Sequence, residues 1–210
     1  MNNKPQNNYF ITAIGTDSGK TVASAILCEA LKADYWKPIQ CGEPRDTDSV
    51  KSLISNGNTS FHNEEYFLKK PASPHDAANE EGVEININHI KKTYSELKIN
   101  NSTLIIEGAG GLLVPLNDND FLVDIPEQLN IPVILVCNLY LGSISHTLLS
   151  INELKRRKIN VAGIIFNGES NLESERIILH HSEYKKLLHI LPEKVITKEV
   201  VRRYAEKLQF

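Results

Sequence analysis

Residues 10–21 read Phe10-Ile-Thr-Ala-Ile-Gly-Thr-Asp-Ser-Gly-Lys-Thr21, and the order of residue types in this stretch decides the fold. Apolar, β-prone residues from Tyr9 to Ile14 run into small and polar ones, and Gly19-Lys20-Thr21 opens onto the helix-like run Val22 to Leu31. Strand, loop and helix in that order build a phosphate cradle. Open amides of the loop and helix start point inward, and the helix dipole favours an anion there. Lys20 would reach the outer phosphates of a nucleotide, and the Thr21 hydroxyl would face a magnesium ion. The usual spacing wants glycine five positions before Gly19, where this chain has Ile14, so the motif alone also admits a chance Gly-Lys-Thr.

Outward from this loop, apolar and amphipathic runs alternate. Strands are expected at Tyr9–Ile14, Asp34–Ile39 (with Pro38 ending its pairing early), Thr103–Glu107, Pro132–Cys137, Asn160–Phe166 and His189–Leu191. Helices are expected at Lys20–Ala33, Asp46–Ser55, Ile87–Leu97, Leu141–Lys155, Leu172–His180, Tyr184–Leu188 and Lys198–Leu208. Residues 56–86 are the least regular stretch, and Pro71 and Pro74 there mark an ordered turn. The strands are continuously apolar rather than alternating, as when both faces are covered by helices. The expectation is one α/β domain with a doubly wound, mainly parallel sheet flanked by helices, and a flexible tail over residues 1–8.

The chain has 210 residues, enough to bury a core without metal or disulfide staples. Its 23 Lys plus Arg against 26 Asp plus Glu, a formal charge of −3, argue against nucleic acid as a partner. Cys28, Cys41 and Cys137 are odd in number and far apart, which favours a reducing, cytoplasmic setting. The longest apolar stretch, Ile131 to Cys137, is too short to span a membrane.

In doubly wound sheets ligands collect at the carboxyl ends of strands. Those ends carry Thr16–Thr21, Lys37–Gly42, Glu107–Gly111, Leu141–His146 and Asn167. Lys37, fixed by Pro38, could place a second ammonium on a phosphoryl group in flight, although by itself it also fits a solvated lysine. At about 4 Å and a surface-like dielectric such a contact is worth on the order of 4 kcal/mol. Glu107 could hold magnesium opposite Thr21, or cap the next turn. Asp48 could do the same, or could merely complement a helix dipole. Gly108, Gly110 and Gly111 allow close backbone approach. Asn167 could read adenine through its amide, or simply form a turn with Gly168.

These residues together resemble the dethiobiotin synthetase family over almost the whole chain. The family loop Gly-Thr-Asp-Thr-x-Val-Gly-Lys-Thr has one residue more than the common motif and puts its first glycine at Ala13. Lys-Pro-[Val/Ile]-x-[Ser/Thr]-Gly matches Lys37–Gly42 with Cys41 at the hydroxyl position. Pro71-Ala-Ser-Pro-His75, Glu107–Gly111, residues 132–136 and Leu141–His146 also match, and Leu191-Pro192 matches a late Ile-Pro without the Gly-Glu before it.

The resemblance implies a P-loop NTPase-type fold and a cyclo-ligase forming C–N bonds. Its substrates would be 7,8-diaminopelargonic acid, CO2 or bicarbonate, and ATP, with Mg2+ as cofactor. It implies catalytic roles for Lys20, Lys37 and Thr16. Nucleotide contacts would come from Asp17, Ser18, Gly19, Lys20, Thr21, Val22, Asp48, Glu107, Gly108, Ala109, Gly110, Asn167, Gly168, Pro192 and Glu193. Thr21, Asp48 and Glu107 would hold the metal. Substrate would meet Thr16, Lys37 and Cys41, and its carboxylate tail would meet Gly142, Ser143, Ile144 and Ser145 of a second copy in a homodimer. Two rivals share the architecture. An amidoligase of the cobyrinic acid type would need a glutamine amidotransferase domain, for which 210 residues leave no room. A partitioning or regulatory P-loop ATPase typically carries an early Lys-Gly-Gly, where this chain has Ala13-Ile14.

Overall fold

A computed structural model describes residues 8–97 and 103–210. At its centre stands β1 (Tyr9–Ala13), every residue of which is buried. Seven strands form one parallel sheet in the order β4-β2-β6-β1-β7-β8-β9. These are β2 (Asp34–Trp36), β4 (Phe61–His62), β6 (Leu104–Gly111), β7 (Val133–Asn138), β8 (Val161–Asn167) and β9 (Lys186–Ile190) around β1. A small second sheet pairs β3 (Ile39–Cys41) with β5 (Tyr66–Leu68), also parallel.

Side chains of β1 alternate between two apolar layers, as a strand covered on both faces requires. Tyr9, Ile11 and Ala13 meet α1 (Lys20–Leu31), α2 (Asp46–Leu53) and α8 (Lys198–Ala205) through Ala23, Ile26, Leu27, Val50, Val201 and Tyr204. Phe10 points the other way. It joins Trp36, Ile106, Leu135 and Phe166 in a layer closed by α3 (Pro74–Glu80), α4 (Ile87–Leu97), α5 (Asp124–Leu129), α6 (Ser143–Arg156) and α7 (Leu172–Ser182). Burying such side chains contributes about 1.5–3 kcal/mol each. Among the described residues no helix is long and apolar enough to cross a membrane.

Several expectations need correcting. The Asp34–Ile39 strand divides at Lys37-Pro38. Proline has no N–H to offer the main sheet, and its carbonyl accepts from Tyr66 N (2.9 Å) in the small one. Of residues 184–188, read as helical, the last three instead enter β9, because the edge of β8 recruits them: Ile165 pairs with Leu188. β6 runs through all the glycines to Gly111, and α5 was not foreseen. Ala13 makes no turn. It ends β1 in pairing with Gly111 and Val136, and the left-handed residues of the loop are Asp17 (φ 55°) and Gly19 (φ 93°). Asn8, assigned to the tail, is buried: it donates to Tyr94 Oη (2.8 Å) and accepts from Leu104 N (3.0 Å). The rest of that tail lies outside the described residues.

Candidate active site

The loop after β1 curls at the carboxyl edge of the sheet, beside the strand where the chain order reverses. Gly19 is the N-cap of α1, and a side chain there would meet Asn167 Nδ2 at 2.4 Å. The first bond inside α1 runs from Ala23 N to the Gly19 carbonyl (3.0 Å), so the amides of Lys20, Thr21 and Val22 lie in the unpaired first turn. Buried Ser18 donates to the Gly15 carbonyl (3.0 Å), and Lys20 Nζ to the same carbonyl (3.5 Å), which stiffens the bend. Burial pulls the Lys20 ammonium down in pKa, only partly opposed by Glu107.

Facing this helix start is fully buried Glu107, delivered by β6. Its Oε1 accepts from Thr21 Oγ1 (3.1 Å) and from Lys37 Nζ (3.2 Å), and its Oε2 accepts from Tyr35 Oη (3.0 Å). Burial, and next the Glu107 charge, raise the Tyr35 phenol well above its ordinary value, so it stays a donor. Lys37 is buried at the end of β2. Burial lowers its pKa, but Glu107 and Asp46 outweigh that and leave it raised.

The second carboxylate beside Thr21 and Lys37 is Asp46, two residues before Asp48, the residue expected there from the sequence. Asp46 Oδ2 lies 2.6 Å from Lys37 Nζ, and its Oδ1 lies 3.0 Å from Thr21 Oγ1, whose single proton it shares with Glu107 Oε1. Successive residues turn by about 100° around a helix, so two positions on, Asp48 points nearly the opposite way, exposed to solvent. Gln40 sets Asp46 in place: its Oε1 accepts from Asp46 N (3.2 Å) while its Nε2 donates to the Gly42 carbonyl (3.0 Å). Sequence reasoning missed Gln40, Tyr35 and Asp46. Only the Asp-Thr-Asp repeat hinted at the last.

Lys20, Thr21, Lys37, Gln40, Asp46 and Glu107 line a cavity of about 820 Å3 together with Thr16, Asp17, Ser18, Gly19, Cys41, Ala109, Gly110 and the 71–74 turn. The Cys41 thiol, half-buried, is pushed up to about 11 by burial, so it stays protonated. Gly108 backs the site, its carbonyl accepting from Lys37 Nζ (3.5 Å). Val22 packs its side chain toward the core. Asn167 and Gly168 approach from the side: Asn167 Nδ2 donates to the Ser18 carbonyl (3.0 Å). Pro192 is exposed nearby in sequence, and Glu193 is held by Arg203 and by Tyr204 Oη (2.9 Å). Gly142 to Ser145 begin α6 outside this cavity, with Gly142 (φ 103°) as N-cap and no side chain capping the helix. A second cavity of about 770 Å3 shares Thr16, Ser73 and Val114 with the first and is bordered by Leu113, His146, Leu149 and Arg156.

A glycine-lysine-threonine loop over a parallel sheet, with two carboxylates converging on the threonine hydroxyl, defines a P-loop nucleotide-binding enzyme. A family profile described as an AAA domain matches residues 7–200. The chain is 58% identical over 201 residues to an ATP-dependent dethiobiotin synthetase of Cytophaga hutchinsonii, covering 95% of this chain and 96% of that protein. It is 47% identical over 204 residues to one of Christiangramia forsetii, covering 96% of each. The chain belongs to the ATP-dependent dethiobiotin synthetase family.

Solved structures share the fold at low identity. Cell division ATPase MinD of Pyrococcus furiosus has a TM-score of 0.62 at 13% identity, covering 96% of this chain and 98% of that one. A ParA family ATPase of Chlorobium tepidum has 0.59 at 11%, covering 96% and 100%.

Proposed function

We propose that this cyclo-ligase closes the ureido ring of dethiobiotin from 7,8-diaminopelargonic acid, CO2 and ATP in the cytoplasm. The observation that carries the reading is the Thr21–Asp46–Glu107 oxygen group spanned by Lys37, set at the mouth of a phosphate loop. The partitioning-ATPase alternative is favoured only by the shared fold, whereas sequence identity of 58% lies with the ligases.

In this reading one amine of the substrate takes up CO2 as a carbamate, whose oxygen attacks the γ-phosphorus while ADP leaves. The second amine then attacks the carbamate carbon, forming the new C–N bond and expelling phosphate. Thr16 meets the carbamate end. Lys20 and Lys37 hold the phosphoryl oxygens while charge moves from the attacking to the leaving oxygen. Hard oxygen donors such as Thr21 Oγ1, Asp46 and Glu107 suit Mg2+. When bound, that ion would supply charge neutralisation for the β- and γ-phosphates. Asn167 reads the adenine edge, with its other amide hydrogen on the Ser18 carbonyl.

We assign the substrate's carbon chain to the second, more apolar cavity. Exposed Leu113 and Leu149 border it, and the exposed Tyr140 hydroxyl contacts His146 on its rim. An apolar surface of this kind suits a second copy of the chain, whose α6 start at Gly142–Ser145 would meet the carboxylate tail.

The test is direct. Protein mixed with diaminopelargonate, bicarbonate, Mg2+ and ATP is expected to yield dethiobiotin by mass, with ADP formed in equal amount. Substrate-independent ATP hydrolysis without that product, from folded protein, would refute the ligase reading.

A further inference from the structure

β8 ends on Asn167, and the next residue, Gly168, is held from behind by a buried polar chain. His189 Nε2 donates to the Gly168 carbonyl (2.9 Å), while His189 Nδ1 lies 3.0 Å from Glu175 Oε1. Glu175, buried in the first turn of α7, is itself fixed from two further sides: Lys186 Nζ donates to its Oε2 (3.1 Å) and Ser170 Oγ to its Oε1 (3.2 Å). Gly168 N donates to the Ile190 carbonyl (2.9 Å), so both polar groups of this one glycine are tied to β9. Gly168 sits at φ 108°, where its peptide could swing freely without those ties. The Asn167 amide must meanwhile keep its bond to the Ser18 carbonyl (3.0 Å) and still face a base.

We infer that His189 is a positioning residue for the nucleotide base: by fixing the Gly168 carbonyl it fixes the direction in which the Asn167 amide faces. The inference rests on the proposal that Asn167 reads adenine. It adds that selectivity for the base depends on a side chain one strand away, which makes no contact with the phosphate cavity.

Two near-isosteric substitutions separate this role from a purely structural one. The amide nitrogen of His189→Gln falls near Nε2 and keeps the Gly168 bond while giving up Glu175. The amide nitrogen of His189→Asn falls near Nδ1 and does the reverse. With kcat/KM for ATP over GTP as the readout, the Asn variant is expected to lose at least fivefold in preference through KM for ATP, with kcat within threefold. The Gln variant is expected to stay within twofold of the parent. Asn167→Ala serves as the reference and should lose preference at least as far. If the Asn variant keeps its preference while Asn167→Ala loses it, base reading stands and the role of His189 is overturned. The same holds if the Gln variant loses as much as the Asn variant, since keeping the Gly168 bond would then not preserve base preference. Equal use of ATP and GTP by the parent, or no change in Asn167→Ala, removes the base reading and this inference with it.

Discussion

Replacing Lys37 by methionine removes the ammonium and keeps most of the stem, so its cost measures the charge. In the resting site that charge lies 2.6 Å from Asp46 and 3.2 Å from Glu107. A Coulomb contact of about 4 Å at an effective dielectric of about 20 is worth about 4 kcal/mol before desolvation. Removing a single preorganised donor at developing negative charge costs about 3 kcal/mol in practice. At about 1.4 kcal/mol per tenfold, kcat should fall roughly 100-fold.

The same change strips a fully buried carboxylate of its partner, which costs about 3–5 kcal/mol of stability. At the proposed Mg2+ site the ion is expected to restore much of that stability by compensating the carboxylates, but not the lost rate. The assay is single-turnover dethiobiotin formation at saturating ATP, with ATP affinity by calorimetry and Tm measured across a Mg2+ titration. A folded variant whose kcat stays within threefold, or whose loss lies only in ATP affinity, refutes the reasoning.

Three further outcomes are expected. Asp46→Asn should raise the Mg2+ concentration for half-maximal activity at least tenfold, while Asp48→Asn stays within twofold; equal effects would return Asp48 to the site. Gly19→Ala should weaken ATP binding at least tenfold by calorimetry, since it must adopt a left-handed backbone and displace the Asn167 amide 2.4 Å away. Hydrogen bonds from Arg156 and Arg157 hold the Glu153 carboxyl down at about 2, from an ordinary 4.5. Its folded-state pKa being depressed, its contribution is full above about pH 4.5 and is lost as pH falls toward 2. The urea-unfolding gap between the parent and Glu153→Gln should therefore narrow from pH 5 to pH 3, and a constant gap would contradict the assignment.

The phosphate loop, Lys37 and Glu107 were legible because each is a polar residue abutting an apolar strand, where nothing but the sheet's carboxyl edge can receive it. Asp46 was not, because choosing between it and Asp48 needs the phase of α2, which Gln40 sets from outside the helix. Residues 184–188 misled for a related reason: their local pattern is ambiguous, and the pairing of Lys186 to Leu188 with β8 decides it. Ala13 seemed a defect only while the loop's bend was placed at its first residue; the bend belongs to Asp17 and Gly19, and a small residue suffices beside Gly111, whose own side-chain position would meet the Ala13 carbonyl at 3.3 Å.

The balance of charge in the cradle bears on the order in which ligands arrive. Two ammoniums, Lys20 and Lys37, face three carboxylates, Asp17, Asp46 and Glu107, and these all border one cavity. The side chains of the cradle thus carry a formal surplus of negative charge, in a chain whose formal net charge is −3. A divalent cation among those carboxylates would reverse that sign, leaving the loop amides and the helix start to receive the phosphates. On the proposed reading, the form of nucleotide that suits this cradle is the metal complex, with the cation carried in on the phosphates.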